Sequence, residues 1–231
     1  GTENGLQRYD GTKFVSIGSR DAKKKLPSLP VDQLVYDAKR DIIWVCMGQT
    51  VGRFNSVNGD YTPADVSLRF LPKGYSAYSI HVDAKNNVIL TIGFVGEFVF
   101  NDAKNIFEEN PSVIAVPENF SVFGMYEDKE RGWFYLFGKE GLRIFDPHTK
   151  RIYDAVNNPY KLPELELTKS LEYIHFFYKD SKKRIWIKSW KPQGNLNIYL
   201  IDSGSKKLER KNIDAGQGYF DVIGLEENHG F

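Results

Sequence analysis

The hexapeptide Gly141-Leu142-Arg143-Ile144-Phe145-Asp146 contains the pattern from which the fold is predicted, because the chain repeats it at almost regular intervals. In general form it is a glycine, a large apolar residue, and then an aromatic residue followed by Asp or Asn. Three further copies end at Asp10, Asn55 and Asn101, and a fainter copy ends at Asp202. The steps between these ends are 45, 46, 45 and 56 residues. A period in this range is typical of propellers, solenoids and other repeat arrays.

A second motif keeps the same phase as the first. It is an apolar strand that ends in an acidic residue, followed by a polar turn and a second strand with a large apolar centre. The central residues of the second strands are Trp44, Leu90, Tyr135 and Trp186. The first three lie 11 residues before the Asp or Asn that closes the first motif, and the last lies 16 before it. Two motifs in one phase predict equivalent structural units rather than chance similarity.

Each copy has room for four short strands joined by tight turns. No segment between strands shows the 3.6-residue period that the helices of a parallel βαβ arrangement require. We therefore predict an all-β fold, a β-propeller made of four-stranded antiparallel blades of about 45 residues. The fourth strand is the least distinct, and in the first complete copy it is expected within Tyr61 to Phe70. The turn acids are expected to be structural acceptors of backbone hydrogen bonds; they are Asp37, Asp83, Asp128 and Asp180.

Composition supports sheet and argues against several kinds of partner. The chain has 16 Phe, 13 Tyr and 4 Trp, which suit a pleated, half-buried surface. Its 31 basic and 30 acidic residues give a formal charge of +1, so no nucleic acid partner is expected. The single cysteine, Cys46, is predicted to be a small buried hydrophobe. No apolar stretch is long enough to cross a membrane, so no direct membrane contact is expected in this segment.

The repeats predict one β-propeller region over residues 1–231. Its approximate units are partial ones at 1–30 and 217–231 and complete ones at 31–76, 77–121, 122–170 and 171–216. The chain opens on a third strand and closes on a first strand with its turn, so the two ends do not make up one complete blade. We expect a fragment of a longer propeller, whose remaining blades belong to the parent chain. A closed five-bladed ring is the alternative.

The residues Asp180 to Ile187 and Asp41 to Val45, together with the recurring Gly-Leu-x-x-Tyr/Phe-Asp pattern, resemble the two-component regulator propeller repeat. The likeness covers nearly the whole chain, although Leu90 stands where that repeat usually has Trp. The resemblance implies the periplasmic sensor region of a hybrid two-component system histidine kinase, an inner-membrane receptor. Many such receptors sense oligosaccharides released during glycan breakdown, so it also implies carbohydrate sensing in signal transduction.

The sequence contains no recognisable catalytic or metal-binding constellation. The four histidines, His81, His148, His175 and His229, include no pair at helical metal-ligand spacing. There is no Gly-x-Ser-x-Gly elbow and no phosphate-binding glycine-rich loop before a helix. We therefore predict no catalytic residue, no metal and no cofactor in this segment.

Candidate ligand-binding residues come from two insertions in the last copy. One insertion lies between the second and third strands over 189–195, and the other precedes the first strand over 157–168. Loops of these two kinds are expected on one face, and insertions in repeat proteins often map to a binding face. An indole beside hydrogen-bonding groups suits a sugar or a peptide, unless it only covers the neighbouring blade. The candidates are Trp190, Lys191, Gln193 and Tyr160, with Arg20, Gln49, Lys139 and Glu140 as weaker ones.

Three functions follow as hypotheses. The first is a non-catalytic ligand-sensing propeller that binds an oligosaccharide or another small ligand. The second is a propeller enzyme, a polysaccharide lyase or glycosidase, which requires two carboxyls, or a His with a Tyr or Arg, within chemical reach on one face. The third is a protein-interaction scaffold that forms a homodimer.

Overall fold

The computed structural model describes residues 5–17, 21–68, 78–190, 196–202, 204 and 207–211. The chain forms two compact units, Gly1–Ile114 and Ala115–Phe231. Three candidates, Arg20, Lys191 and Gln193, lie outside the described residues, as does His229. Within the described ranges, no helix is long and apolar enough to span a membrane.

The first unit is built from antiparallel sheets. A two-stranded hairpin precedes a four-stranded sheet, and a second sheet of four antiparallel strands carries a fifth strand at its edge. The hairpin consists of β1 (Gln7–Tyr9) and β2 (Phe14–Ser16); the first sheet of β3 (Gln33–Asp37), β4 (Ile42–Met47), β5 (Thr50–Phe54) and β6 (Tyr61–Pro63); the second of β8 (Tyr78–Val82), β9 (Val88–Ile92), β10 (Gly96–Asn101) and β11 (Ile106–Glu108), with β7 (Asp65–Val66) at its edge. A short 3-10 turn, Ala22–Lys24, lies between β2 and β3.

The second unit contains two further four-stranded antiparallel sheets. They consist of β12 (Val122–Asp128), β13 (Trp133–Gly138), β14 (Gly141–Asp146) and β15 (Arg151–Tyr153), and of β16 (Ile174–Lys179), β17 (Ile185–Trp190), β18 (Leu196–Ile201) and β19 (Leu208–Lys211). The segment between them includes one short helix, α1 (Pro163–Leu167), with proline in its first turn. Proline is tolerated there because the first helical N–H groups have no partner inside the helix.

Consecutive strands pair in chain order within each four-stranded sheet, which is the topology of a propeller blade. The predicted all-β propeller fold of four-stranded antiparallel blades is confirmed. The fourth strand of the first complete blade was expected within Tyr61 to Phe70, and β6 covers only the first three residues of that range. β6 ends at Pro63, and the N–H of Ala64 makes one more bond to β5, at 3.0 Å to the Val51 carbonyl oxygen. Residues 65–66 then form β7, which pairs in parallel with β11 of the next sheet, so this segment contributes to two blades.

Asp and Asn side chains form the turns of every blade. At the end of a first strand, a carboxylate accepts backbone N–H groups of the turn, as Asp83 does from Lys85 and Asn87. The chain then reverses at a residue with positive φ; these residues are Asp41, Asn86, Gly132 and Lys183. At the end of a third strand, a side-chain oxygen accepts the N–H two residues on, at Asp10, Asn55, Asn101, Asp146 and Asp202. The recurring Asp and Asn positions are therefore explained by local hydrogen bonds.

Aromatic side chains fill the space between neighbouring blades within each unit. In the first unit the buried Trp44 ring lies 4.7 Å from the Phe100 ring and 5.4 Å from the Phe107 ring. In the second unit the Tyr135 ring stacks on the Phe177 ring at 4.9 Å. Burying such a side chain stabilises the fold by about 1.5–3 kcal/mol, so these central residues hold the blades together.

Cys46 is a core residue of the first unit. Its side chain lies in the buried cluster that contains Trp44 and Leu90. Burial raises the pKa of its thiol to about 12, so the neutral thiol predominates at neutral pH and is a poor nucleophile. The prediction of a small buried hydrophobe at this position is confirmed.

Candidate functional site

The turn between β13 and β14 is tied to the chain that leads into β12. Lys139 N donates to the Ser121 carbonyl oxygen at 3.0 Å, and Ser121 N donates to Glu140 Oε2 at 2.7 Å. Gly138 permits this close approach, because a Cβ there would lie 1.9 Å from the Ser121 carbonyl oxygen. The Glu140 carboxylate thus has a structural role in holding the turn, while the Lys139 side chain is exposed.

The start of β16 and the end of β17 lie against the same turn. Tyr173 N donates to the Lys139 carbonyl oxygen at 2.9 Å, and Trp190 N donates to the Tyr173 carbonyl oxygen at 3.0 Å. Ser189 Oγ also donates to the Glu172 carbonyl oxygen at 2.7 Å. These bonds place Trp190, Tyr173 and Lys139 at one edge of the two blades, which we call the Trp190 edge.

A row of three rings leads from the first strands to this edge. The Phe123 ring stacks on the His175 ring at 4.7 Å and 22°, and the His175 ring lies 5.8 Å from the Trp190 ring. Phe123 and His175 are half-buried, whereas Trp190 is 45% exposed. The exposed indole is therefore supported from behind by the other rings. Such an apolar plate beside an exposed lysine suits the C–H face and the hydroxyl groups of a sugar.

Phe123 and His175 occupy equivalent positions, five residues before the turn acids Asp128 and Asp180. Each lies at a register shift, between Val122 and Gly124 in β12 and between Ile174 and Phe176 in β16. A β-bulge leaves one residue without a cross-strand partner and redirects its side chain. Sequence reasoning did not identify Phe123 as a site residue. The fixed spacing from the turn acid is the signal that could have found it.

The structure separates Tyr160 from the Trp190 edge, although the two insertions were expected on one face. Tyr160 packs at 5.3 Å on the ring of Trp133, the first residue of β13, whereas Lys139 follows the last residue of that strand. The segment that carries Tyr160 folds back because Asn158 forms two hydrogen bonds with the backbone of Leu162, at 2.8 and 3.0 Å. Of the candidates in the second unit that the structure describes, Trp190, Lys139 and Glu140 come together and Tyr160 does not.

Gln49 lies in the first unit, at the turn between β4 and β5. It is exposed and lines an open cleft of about 530 Å³. The cleft is shaped partly by Asp32, whose Oδ2 accepts the N–H of Gly48 at 2.6 Å. The other residues that line it are Leu29, Pro30, Met47 and Thr50.

The buried turn acids are engaged in hydrogen bonds. Burial opposes ionisation of Asp37, but hydrogen bonds from Trp44 and Arg40 outweigh it and hold the pKa of this carboxyl below its usual value. Asp180 has the same balance, with donors on Trp186 and Arg184. A lowered pKa stabilises the ionised form and disfavours a role as general acid. Among the described residues, no three His, Cys, Asp or Glu side chains are arranged to hold a metal ion.

Comparison with known proteins shows the fold. No family model matches the chain, and no curated protein matches it. Among solved structures, the extracellular domain of the hybrid two component system BT4673 from B. thetaiotaomicron matches with a TM-score of 0.61 at 14% identity, over 92% of this chain and 29% of that one. The extracellular domain of the hybrid two component system BT3049 from the same organism matches with a TM-score of 0.60 at 16% identity, over 90% and 27%. The chain thus spans less than a third of these sensor domains.

Proposed function

We propose that this chain is a ligand-sensing segment of the periplasmic β-propeller of a hybrid two-component sensor kinase, an inner-membrane receptor. The resemblance of its repeats to the two-component regulator propeller family supports this proposal. The fold shared with two extracellular sensor domains supports it independently. The remaining blades of the parent chain complete the propeller, and binding is coupled to signal transduction through the rest of the receptor.

The proposed ligand is a glycan-derived oligosaccharide bound at the Trp190 edge. The observation that carries this proposal is the exposed Trp190 indole, backed by His175 and Phe123. A sugar ring stacks its C–H face on an aromatic plate, and exposed polar groups beside the plate bind its hydroxyls. Lys139, which is exposed at the same edge, supplies one such group, and Lys191 and Gln193 come one and three residues after Trp190 in the sequence.

The proposed role of this edge is binding without catalysis. Glu140, the carboxylate in the turn between β13 and β14, already accepts the N–H of Ser121. A glycosidase needs two carboxyls about 5–10 Å apart that are free to transfer protons.

Light scattering across a concentration series of the ectodomain would test the scaffold hypothesis, in which two copies associate.

Trp190→Ala is expected to weaken oligosaccharide binding to the complete ectodomain by at least about tenfold, because the stacking surface is lost. The melting temperature without ligand should change little, since the indole is 45% exposed. A panel of oligosaccharides is first titrated against the wild type, and the shift in melting temperature and the calorimetric Kd are measured.

The matched control for this test is Tyr36→Ala, which removes an exposed aromatic ring from β3 in the other unit. This variant should bind as the wild type does. A wild-type ectodomain that binds no member of the panel would contradict the glycan-sensing proposal. Equal affinities of wild type and Trp190→Ala would contradict the proposed site.

A further inference from the structure

A second aromatic cluster lies at the opposite end of β13 from the Trp190 edge. The rings of Trp133, Tyr153 and Tyr160 form a closed triangle, with centroids 5.3 to 5.9 Å apart. Tyr153 is buried at its base, and Tyr160 is 55% exposed. The Tyr160 hydroxyl is hydrogen-bonded to Tyr153, which raises the pKa of Tyr160. This contact fixes the exposed ring against the buried one.

An open cleft with a volume of about 460 Å³ borders this triangle and is lined by Arg131, Trp133, Tyr160 and Leu162. That volume lies within the range of about 300–1,000 Å³ that is usual for small-molecule sites. The Arg131 guanidinium lies over the Trp133 ring, 5.0 Å from its centroid. The cleft therefore presents a fixed cation next to an aromatic plate. We call it the Arg131 cleft.

The wall of the Arg131 cleft is held in place by buried contacts. Leu162 is fixed by its two backbone hydrogen bonds with Asn158. Two residues further on, the buried Glu164 carboxylate accepts the Tyr135 hydroxyl at 2.7 Å, which attaches α1 to the centre of β13. A site whose wall is already ordered loses little conformational entropy on binding.

The charged side chain that lines the cleft is the Arg131 guanidinium, which has no ion pair within the described part of the chain. Asp146 and Arg151 both act electrostatically on the Tyr160 hydroxyl, and the effect of Asp146 is the larger. The Asp146 carboxylate accepts the Thr149 hydroxyl at 2.8 Å and the His148 N–H at 2.9 Å. Other acids of the nearby turns have cationic partners, in the pairs Asp128 with Lys179 at 3.0 Å, Glu130 with Lys183 at 3.1 Å and Asp154 with Arg143 at 3.4 Å. An anionic group entering the cleft would thus meet a guanidinium without competition from a bound carboxylate.

We infer that the Arg131 cleft is a second saccharide site, which takes an acidic sugar residue, a uronic acid. The sugar ring stacks on the exposed part of Tyr160 and Trp133, and its carboxylate pairs with Arg131. A planar guanidinium matches a carboxylate with two parallel hydrogen bonds, which a neutral sugar cannot accept in the same way. The inference rests on the proposed function only in taking a saccharide as ligand.

The test compares a galacturonic acid trimer with an uncharged galactose trimer on the complete ectodomain by calorimetry. Arg131→Ala and Tyr160→Ala should each weaken binding of the acidic trimer by at least about tenfold. Arg131→Lys should restore only part of the affinity, because lysine keeps the charge but loses the planar stack. The matched control is Lys39→Ala, which removes an exposed cation from the corresponding turn of another blade.

The outcomes separate this inference from the proposed function. No binding of the acidic trimer, or acidic binding unchanged by Arg131→Ala and Tyr160→Ala, overturns the Arg131 cleft. In either case, binding of the uncharged trimer that is lost in Trp190→Ala still supports the Trp190 edge. Acidic binding that is lost in Arg131→Ala but kept in Trp190→Ala supports the cleft, whatever happens at the Trp190 edge.

Discussion

Asp37→Ala is expected to destabilise the first unit more than any other single substitution of a turn acid, by about 3–5 kcal/mol. Asp37 is 0% exposed. Its Oδ2 accepts the Trp44 indole N–H at 3.0 Å and an Arg40 guanidinium N–H at 2.7 Å, and its Oδ1 accepts Arg40 N at 3.2 Å. Removing the carboxylate leaves a buried indole donor without an acceptor, and takes from a partly buried guanidinium one of the two carboxylates it binds, the other being Asp102.

The matched control is Asp83→Ala, at the equivalent position of the next blade. Among the described residues, Asp83 accepts side-chain hydrogen bonds only from its own turn, because Leu90 stands where the first blade has Trp44. A loss of about 1–2 kcal/mol is expected there. Urea unfolding of each variant, followed by circular dichroism, measures the free energy of unfolding. Equal losses at the two positions would show that the indole and guanidinium contacts add nothing.

Because of the same contacts, the free energy of unfolding is expected to fall at low pH. Hydrogen bonds outweigh burial and keep the pKa of Asp37, Asp128, Asp146 and Asp180 below the usual value. A carboxyl with a depressed folded pKa stabilises the fold above its unfolded pKa, near 3.8. That contribution is lost as the pH falls through the lower folded values. The stabilisation by these four acids is therefore complete and independent of pH near neutrality, and its loss contributes to unfolding at low pH.

The blades could be predicted from sequence because the features that specify them are local. The interval from Asp37 to Trp44 fits one hairpin, and a single carboxylate joins its two ends, so the spacing recurs wherever the hairpin recurs. The centres of the second strands in the first unit, Trp44 and Leu90, are both fully buried. Turn acids and strand centres are thus visible without knowledge of tertiary structure.

The sites could be predicted only in part, because they depend on contacts that spacing does not reveal. The backbones of Trp190 and Lys139 are both hydrogen-bonded to Tyr173. The repeat predicts that these two loops, each between a second and a third strand, lie on the same face. Tyr160 lies elsewhere because its long connecting segment folds back onto Trp133, and no periodic pattern specifies that path. The bulge that redirects Phe123 is likewise set by a shift of register between strands.

Glu97 departs from the repeat pattern, and replacing it is expected to have a large effect on stability. It stands at the second position of the Gly-apolar motif, where the other copies have Leu6, Val51, Leu142 and Ile198. Burial raises the pKa of Glu97 to about 7, from an ordinary value of 4.5. A carboxyl with a raised folded pKa gives stability that is complete below the unfolded pKa and is lost as the pH rises through the folded one. Ionised Glu97 therefore destabilises the fold, and this destabilisation is complete above pH 7.

Glu97→Leu is accordingly expected to raise the free energy of unfolding by about 3 kcal/mol at pH 8.5, since one pKa unit corresponds to about 1.4 kcal/mol. For a chain of this size, that gain corresponds to a rise of roughly 6–12 °C in melting temperature. Calorimetric melting of the wild type and the variant from pH 4 to 8.5 measures the difference between them. The difference should grow between pH 4.5 and 7.

Glu97→Gln separates the effect of charge from the effect of packing, because glutamine keeps the shape of the side chain and does not titrate. Its melting temperature relative to the wild type should rise over the same pH interval, by a similar amount. If Glu97→Leu gained as much at pH 4 as at pH 8.5, the gain would come from better apolar packing. In that case the carboxylate would already be solvated in the folded chain, and burial could not be what raises its pKa.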